Sequence, residues 1–435
     1  MTQTDLIIIG GGPGGYRAAE YAAKNGLKVM IFEDGHVGGT CLNVGCIPTK
    51  TYVHAASFSE AVERQPLVIE QLRSGIEAIL AHPNITLVRE KAAFVDAHTV
   101  GSTTYGSLSA KNIIIATGSE TKWLPIEGID TDPRVVDSTG LLQLKEQPKR
   151  LAIIGAGVIG MEFASVFNRF GTEVTVIEYL KECLPTLDSD IAKRLRKTLE
   201  KRGVTFKMKT AVQNLKDIDA DVILMATGRK PRTEGLNLAA AGIALAPNGS
   251  IAVDNHFRAT AVHDGFSSDS AFPTRYAIGD VNGLQMLAHA AEMQAIHAVN
   301  QILGKKDHIR FDIMPAAIFT IPEAACVGPG EDALKAANAP GGSPSARSYE
   351  CRKAFYRANG KALTMNETDG MVKLFSEPDA GRIIGCHAYG EHSADIVQET
   401  SVLICRDTTV AQLRDMVHIH PTLSEILLSA AQSSL

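Results

Sequence analysis

The 435-residue sequence has no long apolar run and no strong excess of either charge. Its apolar runs, such as 6–9 and 113–116, have the length of a strand, whereas a membrane-spanning helix needs about 20 apolar residues. The formal net charge is −5, which gives no reason to expect nucleic acid or an anionic membrane as a partner. With 45% apolar and 21% charged residues, the composition is that of a soluble globular protein of two to four domains.

Cysteine is scarce and, apart from one pair, scattered. The chain has seven cysteines, and the isolated ones, most of them in apolar surroundings, are Cys183, Cys326, Cys351, Cys386 and Cys405. Buried free thiols are typical of a reducing compartment, which argues against a secreted disulfide scaffold. The first predicted strand also begins almost at once, which leaves no room for a signal peptide. We therefore expect a cytoplasmic protein.

The two remaining cysteines, Cys41 and Cys46, stand five positions apart within residues 38–50. Five residues of α-helix rise about 7.5 Å, which exceeds the roughly 7 Å between Cα atoms that a disulfide tolerates. A bond between these cysteines therefore requires a break in any helix that carries them, and Gly45 and Pro48 can supply it. A disulfide closed across a bent turn is expected to be reducible rather than structural. The pair thus indicates redox chemistry.

A dinucleotide-binding pattern of strand, GxGxxG turn, helix, strand and acid occurs twice. The glycines and the acid are Gly10, Gly12, Gly15 and Glu33 in the first copy, and Gly155, Gly157, Gly160 and Glu178 in the second. In both copies the acid follows the first glycine by 23 residues. The glycines let the backbone approach a pyrophosphate at a helix N-terminus, and the acid accepts a ribose hydroxyl. The repetition predicts two dinucleotide sites on two βαβ units.

The acid of the second copy indicates which dinucleotide binds there. The Glu178 carboxylate can accept the 2′-hydroxyl of NAD but would repel the 2′-phosphate of NADP. No arginine follows in residues 179–187, where only Lys181 could compensate. We therefore predict NAD rather than NADP at the second copy.

Each copy is followed by a short predicted strand that ends in Ala-Thr-Gly, at 116–118 and at 226–228. Each Ala-Thr-Gly segment can be read as a strand-end turn, or as the place where the chain crosses between domains beside a bound nucleotide. The two interpretations are compatible.

Several motifs are similar, in order and over nearly the whole chain, to those of the FAD-dependent pyridine nucleotide–disulfide oxidoreductases of class I. They are GGGPGGY, GGTCLNVGCIPTK, GAGVIGMEF, the two ATG turns, YAIGDVNG at 276–283 and HIHPTLSE at 418–425. Within that family the chain most resembles the dihydrolipoamide dehydrogenases. The resemblance implies an α/β fold with two Rossmann-like domains, which bind FAD and NAD, and an α+β C-terminal dimerisation domain. The implied boundaries are 1–143 and 255–314 for the FAD-binding parts, 144–254 for the NAD-binding domain and 315–435 for the dimerisation domain.

The resemblance also assigns residues to the cofactors, with one tightly bound FAD per subunit and no metal. The first fingerprint would hold FAD and the second NAD, together with Thr117, Gly118, Gly228, Asp280, Met286, Ala288 and His289. A helix that starts near Met286 would direct its positive end at the flavin, where reduction places negative charge. Lys50 and Glu162 match an ion pair near the reactive flavin nitrogen. The alternative for each of these two charges is a solvated surface residue.

The family pattern implies a redox disulfide between Cys41 and Cys46. Cys41 resembles the thiol that meets the substrate, and Cys46 resembles the thiol that lies against the flavin. Only a thiolate can attack a disulfide or donate electrons to the flavin, and a nearby Lys50 would favour that form.

The catalytic base is implied by His-Pro-x-x-x-Glu near the end of the chain. His420 can take a proton from a substrate thiol, and Glu425 can fix the tautomer of its ring. His418, in the same motif, is expected to be an ordinary surface or core residue. In the family this segment completes the active site of the other subunit, so the resemblance implies a homodimer.

The resemblance implies oxidation of a dihydrolipoyl group on a protein of a 2-oxoacid dehydrogenase or glycine cleavage system, with reduction of NAD to NADH. One alternative is an NAD(P)H-dependent reductase of another small disulfide, such as glutathione, but basic residues for a 2′-phosphate are missing. A second alternative is a subunit whose main role is docking within a multienzyme complex. No further redox pair follows near the C-terminus, since the last cysteine is Cys405.

The chain departs from the family pattern in four places outside these motifs. The helical region within 51–98 is shortened, and 204–226 leaves little room for extra strands. Residues 261–275 are predicted to be an inserted loop, and 340–345 a second one rich in Gly, Pro and Ser. These changes are expected to affect the substrate channel or a docking surface rather than the redox motifs.

Overall fold

A computed structural model describes residues 4–260, 274–339, 348–378 and 381–433. The strands of these ranges are β1 (Thr4–Ile9), β2 (Val29–Phe32), β3 (Ile85–Val88), β4 (Ala93–Phe94), β5 (Thr99–Ser102), β6 (Gly106–Ile115), β7 (Ser119–Thr121), β8 (Val135–Val136), β9 (Arg150–Ile154), β10 (Glu173–Ile177), β11 (Thr205–Lys207), β12 (Val222–Met225), β13 (Arg229–Pro231), β14 (Thr274–Ala277), β15 (Ala316–Ile318), β16 (Ala324–Val327), β17 (Glu350–Phe355), β18 (Met371–Ser376) and β19 (Ile383–Tyr389). The helices are α1 (Pro13–Lys24), α2 (Gly39–Val44), α3 (Cys46–Val53), α4 (Phe58–Leu80), α5 (Ser138–Leu142), α6 (Val158–Arg169), α7 (Ser189–Lys201), α8 (Ala288–Ile302), α9 (Glu331–Ala337), α10 (Gly360–Met365), α11 (Ser393–Cys405), α12 (Val410–Arg414) and α13 (Glu425–Gln432). None of these helices is long and apolar enough to cross a membrane.

The chain divides into two compact units. The first consists of Met1–Tyr52, Ser59–Lys122 and Gly228–Ile309, and the second of Val53–Phe58, Trp123–Thr227 and Arg310–Leu435. The four domain boundaries expected from the family pattern stay a prediction.

The first unit is built on a sheet of order β3-β2-β1-β6-β5-β4, in which β14 also pairs with β6. Strands β3, β2, β1, β6 and β14 run parallel, and β4 and β5 are antiparallel additions. The parallel order, with the first strand next to the second on one side and to a later strand on the other, is that of a doubly wound nucleotide-binding fold. The parallel strands β1 and β2 are almost wholly buried, as expected where helices cover both faces of a sheet.

The second unit contains two sheets. The parallel sheet has the order β11-β10-β9-β12-β8, which repeats the arrangement of the first unit around the second fingerprint. The antiparallel sheet has the order β15-β16-β19-β18-β17, and its core includes Val327, Leu374, Ile396 and Leu427. The predicted α/β class with two Rossmann-like domains and an α+β C-terminal part is confirmed.

Some local expectations change. The helix expected near Met286 begins two residues later, at Ala288, because the preceding Leu287 has extended backbone angles. The region after Lys50 is largely one helix, α4, of 23 residues. An inserted loop was expected over 261–275, and residues 261–273 lie outside the described residues. Thr274 and Arg275 belong to β14, so the expected end of the loop at 275 is wrong. The loop expected at 340–345 lies outside the described residues.

Candidate active site

Each glycine fingerprint forms the turn between a buried strand and the helix that follows. The first glycines, Gly10 and Gly155, have φ angles of 106° and 107°, in the left-handed region that favours glycine. A Cβ atom on Gly10 would overlap the carbonyl oxygen of Ala116, and one on Gly155 would overlap that of Ala226. Each Ala-Thr-Gly segment is therefore a strand-end turn packed directly against the fingerprint of its own sheet.

The other two glycines of each turn occupy equivalent positions in the two fingerprints. A Cβ on Gly15 would overlap the carbonyl oxygen of Gly10, and one on Gly160 would overlap that of Gly155. Gly12 and Gly157 are the N-caps of α1 and α6, and neither helix start is capped by a side chain. The backbone N–H groups at these starts are thus open to an anion, which is the arrangement that binds a pyrophosphate.

The acids that follow β2 and β10 are hydrogen-bonded to the glycine turns of the same fingerprints. Glu33 accepts the N–H groups of Gly11 and Gly35 at 2.7 and 2.9 Å. Glu178 accepts those of Ala156 and Leu180 at 2.6 and 2.7 Å. Each carboxylate thus uses one oxygen on the glycine turn and the other on the loop after its own strand. Both acids stand at the carboxyl edge of their sheets, where such folds receive a ribose.

The two cysteines flank a break between two helices, as predicted. Cys41 lies in α2, the helix ends at Gly45 with φ −139° and ψ −109°, and Cys46 is the first residue of α3. Pro48, which was also expected to disturb the backbone, is accommodated in the first turn of α3 instead, where a proline costs little. No disulfide joins the two cysteines in this structure; Cys46 is exposed and Cys41 partly buried.

The thiols interact with each other and with the charge of Lys50. The pKa of Cys41 is raised far above the usual thiol range, first by its hydrogen bond to Cys46, then by burial and by negative charge on Cys46. The Lys50 ammonium acts in the opposite direction on the same pKa. Cys46 is the first residue of α3, and a helix N-terminus favours a thiolate.

The predicted ion pair of Lys50 with Glu162 stays a prediction. Lys50 lies in α3 of the first unit, and Glu162 lies in α6 of the second. Glu162 is 4% exposed, so it is not the solvated surface residue that was the alternative. Its Oε1 accepts the N–H of Phe319 at 2.9 Å.

The remaining residues expected at the flavin lie in the first unit. Asp280 is in a short 3₁₀ helix, Gly279–Asn282, directly after β14. Gly118 has a φ of 74°, and the Thr117 hydroxyl donates to the carbonyl oxygen of Arg232 at 2.7 Å. Ala288 and His289 begin α8, and Met286 lies two residues before it; Met286 is 37% exposed and His289 is also exposed.

His420 and Glu425 are brought together at the start of α13. Nδ1 of His420 lies 2.9 Å from Oε1 of Glu425, and the imidazole is 77% exposed. The other oxygen of Glu425 accepts the N–H of Thr422 at 2.8 Å. The Thr422 N–H, followed by His420, holds the pKa of Glu425 below its ordinary value. The side chain of His418, by contrast, is 7% exposed, and its Nε2 lies 3.2 Å from Oε1 of Glu399.

Comparisons with known proteins agree with this geometry. The family model for pyridine nucleotide-disulphide oxidoreductases matches residues 4–295, and the model for the dimerisation domain of the same family matches residues 314–431. The chain belongs to the pyridine nucleotide–disulfide oxidoreductase family. Its members depend on FAD and use NAD(P)H.

Relatives of this family match the chain over almost its full length. A mitochondrial dihydrolipoyl dehydrogenase of Pisum sativum is 34% identical over 99% of this chain and 91% of the relative. A leghemoglobin reductase of Glycine max is 35% identical over 99% and 88%. The structure of the HOCl-induced flavoprotein disulfide reductase RclA from Escherichia coli superposes with a TM-score of 0.89, at 31% identity over 98% of this chain and 99% of that one.

The fingerprints fit the two dinucleotides that the family uses. Both have a glycine cradle that a Cβ would fill, an open helix start for a pyrophosphate and a carboxylate for a ribose. FAD, when bound, supplies the two-electron chemistry that protein side chains lack.

Sequence reasoning missed the hydrogen bonds of two side chains that lie within the motifs. The Tyr16 hydroxyl donates to Glu292 at 3.0 Å, and burial, Glu292 and then Cys41 raise the pKa of Tyr16. Asn43, between the cysteines, donates to the carbonyl oxygens of Val37 and Gly39, and its own carbonyl accepts from Arg73. The only sequence signal was position within a motif, since the partners Glu292 and Arg73 stand in other helices.

Proposed function

We propose that this chain is a dihydrolipoamide dehydrogenase, which oxidises a protein-bound dihydrolipoyl group and reduces NAD⁺ to NADH, with release of one proton from the dithiol. The observation that carries the proposal is the combination of a thiol pair across a helix break with an exposed histidine held by a carboxylate. Full-length relatives named dihydrolipoyl dehydrogenase, at 33–34% identity, support the choice of substrate. Glu178 supports the choice of NAD, because its carboxylate would repel a 2′-phosphate.

The residues would act in sequence on the substrate dithiol. His420 takes the proton of one substrate thiol at Nε2, because Glu425 occupies the Nδ1 side of the ring. The new thiolate attacks Sγ of Cys41 in the oxidised pair, and Cys46 leaves as a thiolate. The second substrate thiol then displaces Cys41, which releases lipoamide and leaves both cysteines reduced. FAD, held by the first fingerprint, would supply the redox chemistry that passes the electron pair of the two cysteines to NAD⁺.

The homodimer belongs to the same proposal. The segment that carries His420 exposes Val417 completely and Ile419 by 79%. Two large apolar side chains on one exposed segment indicate a surface that another chain covers. We infer that a second copy covers them and receives His420 and Glu425 into its own active site, as the family pattern implies.

A second candidate is favoured by the likeness to RclA of Escherichia coli, a flavoprotein disulfide reductase. In that case the chain would use NAD(P)H to reduce another disulfide through the same two cysteines.

The two candidates are separated by assays of the purified full-length flavoprotein. Dihydrolipoamide is tested with NAD⁺ and with NADP⁺, and lipoamide, glutathione disulfide and coenzyme A disulfide are tested with NADH and NADPH. We expect the fastest turnover with the lipoyl substrates and NAD(H). The Cys46→Ser variant should lose this turnover. Faster turnover with another disulfide would favour the reductase, and a purified protein without bound flavin would contradict both.

A further inference from the structure

Asp280, which the family pattern assigns to FAD, stands at the end of a chain of hydrogen bonds within the first unit. The hydroxyl of Ser119 donates to Oδ2 of Asp280 at 2.5 Å. Arg229 donates to Ser119 twice, from Nε to the hydroxyl oxygen and from a terminal nitrogen to the backbone carbonyl, both at 2.7 Å. Ser119 itself is 2% exposed, so water does not compete for these bonds.

Ser119 and Arg229, the first two members of this series of hydrogen bonds, each follow one of the two Ala-Thr-Gly turns. Ser119 directly follows the first turn in β7, and Arg229 directly follows the second in β13. The two strands pair antiparallel, with Arg229 opposite Thr121 and Pro231 opposite Ser119. Ser119 and Arg229 therefore lie on the same two-stranded ribbon, formed by β7 and β13.

The chemistry of the groups fixes the direction of each bond. A guanidinium has only donors, so the Ser119 oxygen must accept from Arg229. The single hydroxyl hydrogen of Ser119 is then directed to Asp280 and to no other acceptor. With Oδ2 held in this way, the carboxylate cannot rotate freely, and Oδ1 is the oxygen that would receive a hydroxyl of a ligand.

We propose that Ser119 and Arg229 are positioning residues for FAD, which act by holding the Asp280 carboxylate in the orientation that accepts a cofactor hydroxyl. The inference rests on the assignment of Asp280 to FAD and not on lipoamide as the substrate. It therefore stands or falls separately from the choice of substrate, and its test measures cofactor retention rather than turnover.

The test is the rate of FAD release from the full-length flavoprotein after dilution, followed by the gain in flavin fluorescence. Ser119→Ala and Arg229→Met should each release FAD about tenfold faster, because each removes a charge-assisted bond from the chain. Ser119→Thr, which keeps the hydroxyl, should restore slow release. The matched control is Lys230→Met, since Lys230 neighbours Arg229 on the same strand but has a side chain that is 44% exposed and paired with Glu120. This control should release FAD at the wild-type rate.

A double-mutant cycle separates positioning from a general effect on folding. In an Asp280→Asn background, Ser119→Ala should accelerate release much less than in the wild type, because the oriented carboxylate is already gone. The proposal is overturned if Ser119→Ala and Arg229→Met retain FAD as the wild type does, or if Ser119→Ala has the same effect in both backgrounds. Should Arg229→Met fail to fold, the serine variants alone decide the question.

Discussion

Glu425 holds His420 by Nδ1 with one oxygen and the N–H of Thr422 with the other, so both carboxylate oxygens are occupied. These bonds lower the pKa of Glu425, which is therefore ionised at neutral pH. An ionised carboxylate at Nδ1 selects the tautomer whose Nε2 carries a lone pair. The exposed nitrogen of this imidazole is thus prepared to take a proton.

Glu425→Gln should lower kcat for dihydrolipoamide oxidation on the order of 100-fold, since the ring loses its orientation and the charge that stabilises the imidazolium. The measurement is steady-state NADH formation. The matched control is Glu399→Gln, which alters the partner of His418 and should leave the rate close to that of the wild type. An unchanged kcat in Glu425→Gln would rule out the His–Glu unit as the base.

Cys46→Ser should make the Cys41 thiol more reactive toward iodoacetamide in the reduced protein. Cys46 is the first cause of the raised pKa of Cys41, so its replacement lowers that pKa and increases the thiolate fraction at a given pH. We expect alkylation of Cys41 at neutral pH to accelerate by about tenfold or more. Mass spectrometry of the labelled peptide measures this.

Lys50→Met should act on Cys41 in the opposite sense, because the Lys50 ammonium lowers the pKa of that thiol. Slower alkylation of Cys41 in Cys46→Ser than in the wild type would contradict the assignment of Cys46 as the main cause of the raised pKa of Cys41.

Gly160→Ala should destabilise the second unit by at least about 2 kcal/mol, because the new Cβ would overlap the carbonyl oxygen of Gly155. Gly157→Ala should leave the melting temperature nearly unchanged, because no atom lies within 4 Å of its Cβ position and its φ is −76°. This variant should bind the dinucleotide less tightly, since the added methyl group would occupy open space at the helix start that is expected to receive the pyrophosphate. Thermal unfolding of both variants checks this, and equal melting temperatures would show that the turn can relax.

Lys373→Met should destabilise the protein by about 3–5 kcal/mol at neutral pH. Lys373 and Asp188 side chains are each 1% exposed and lie 2.8 Å apart, and Glu331 also bonds to this lysine. Lys335, followed by Lys373, lowers the pKa of Glu331 to about 2. Burial alone would raise the pKa of Asp188, but Lys373 and the Glu331 N–H hold it below its ordinary value.

The sign of the pH dependence follows from these lowered pKa values. The stabilisation is present above the unfolded carboxyl pKa of roughly 4 and is lost as the pH falls toward 2. The penalty of Lys373→Met should therefore shrink over that range. Lys335→Met, whose lysine is 65% exposed, is the control and should cost little. A penalty independent of pH would mean that packing, and not charge, dominates.

The sequence motifs predicted those features of the fold and the site that depend on residues a short distance apart in the chain. The strand–turn–helix fingerprints, the break at Gly45 and the His420–Glu425 contact all depend on residues close in sequence, and the structure has them as expected. The Ser119–Asp280 bond joins β7 to the 3₁₀ helix after β14, and Lys373 reaches from β18 to Asp188, the N-cap of α7. Such contacts depend on how sheets are assembled, and nothing in the spacing of one segment announces them.

Besides the ribose contact predicted for it, Glu178 connects the glycine turn to the loop after β10, because its carboxylate accepts the N–H groups of Ala156 and Leu180. Replacing it to admit a 2′-phosphate would also untie that loop. An engineer who wishes to change the coenzyme preference should therefore exchange the whole loop, with new anchors for both N–H groups, rather than a single side chain.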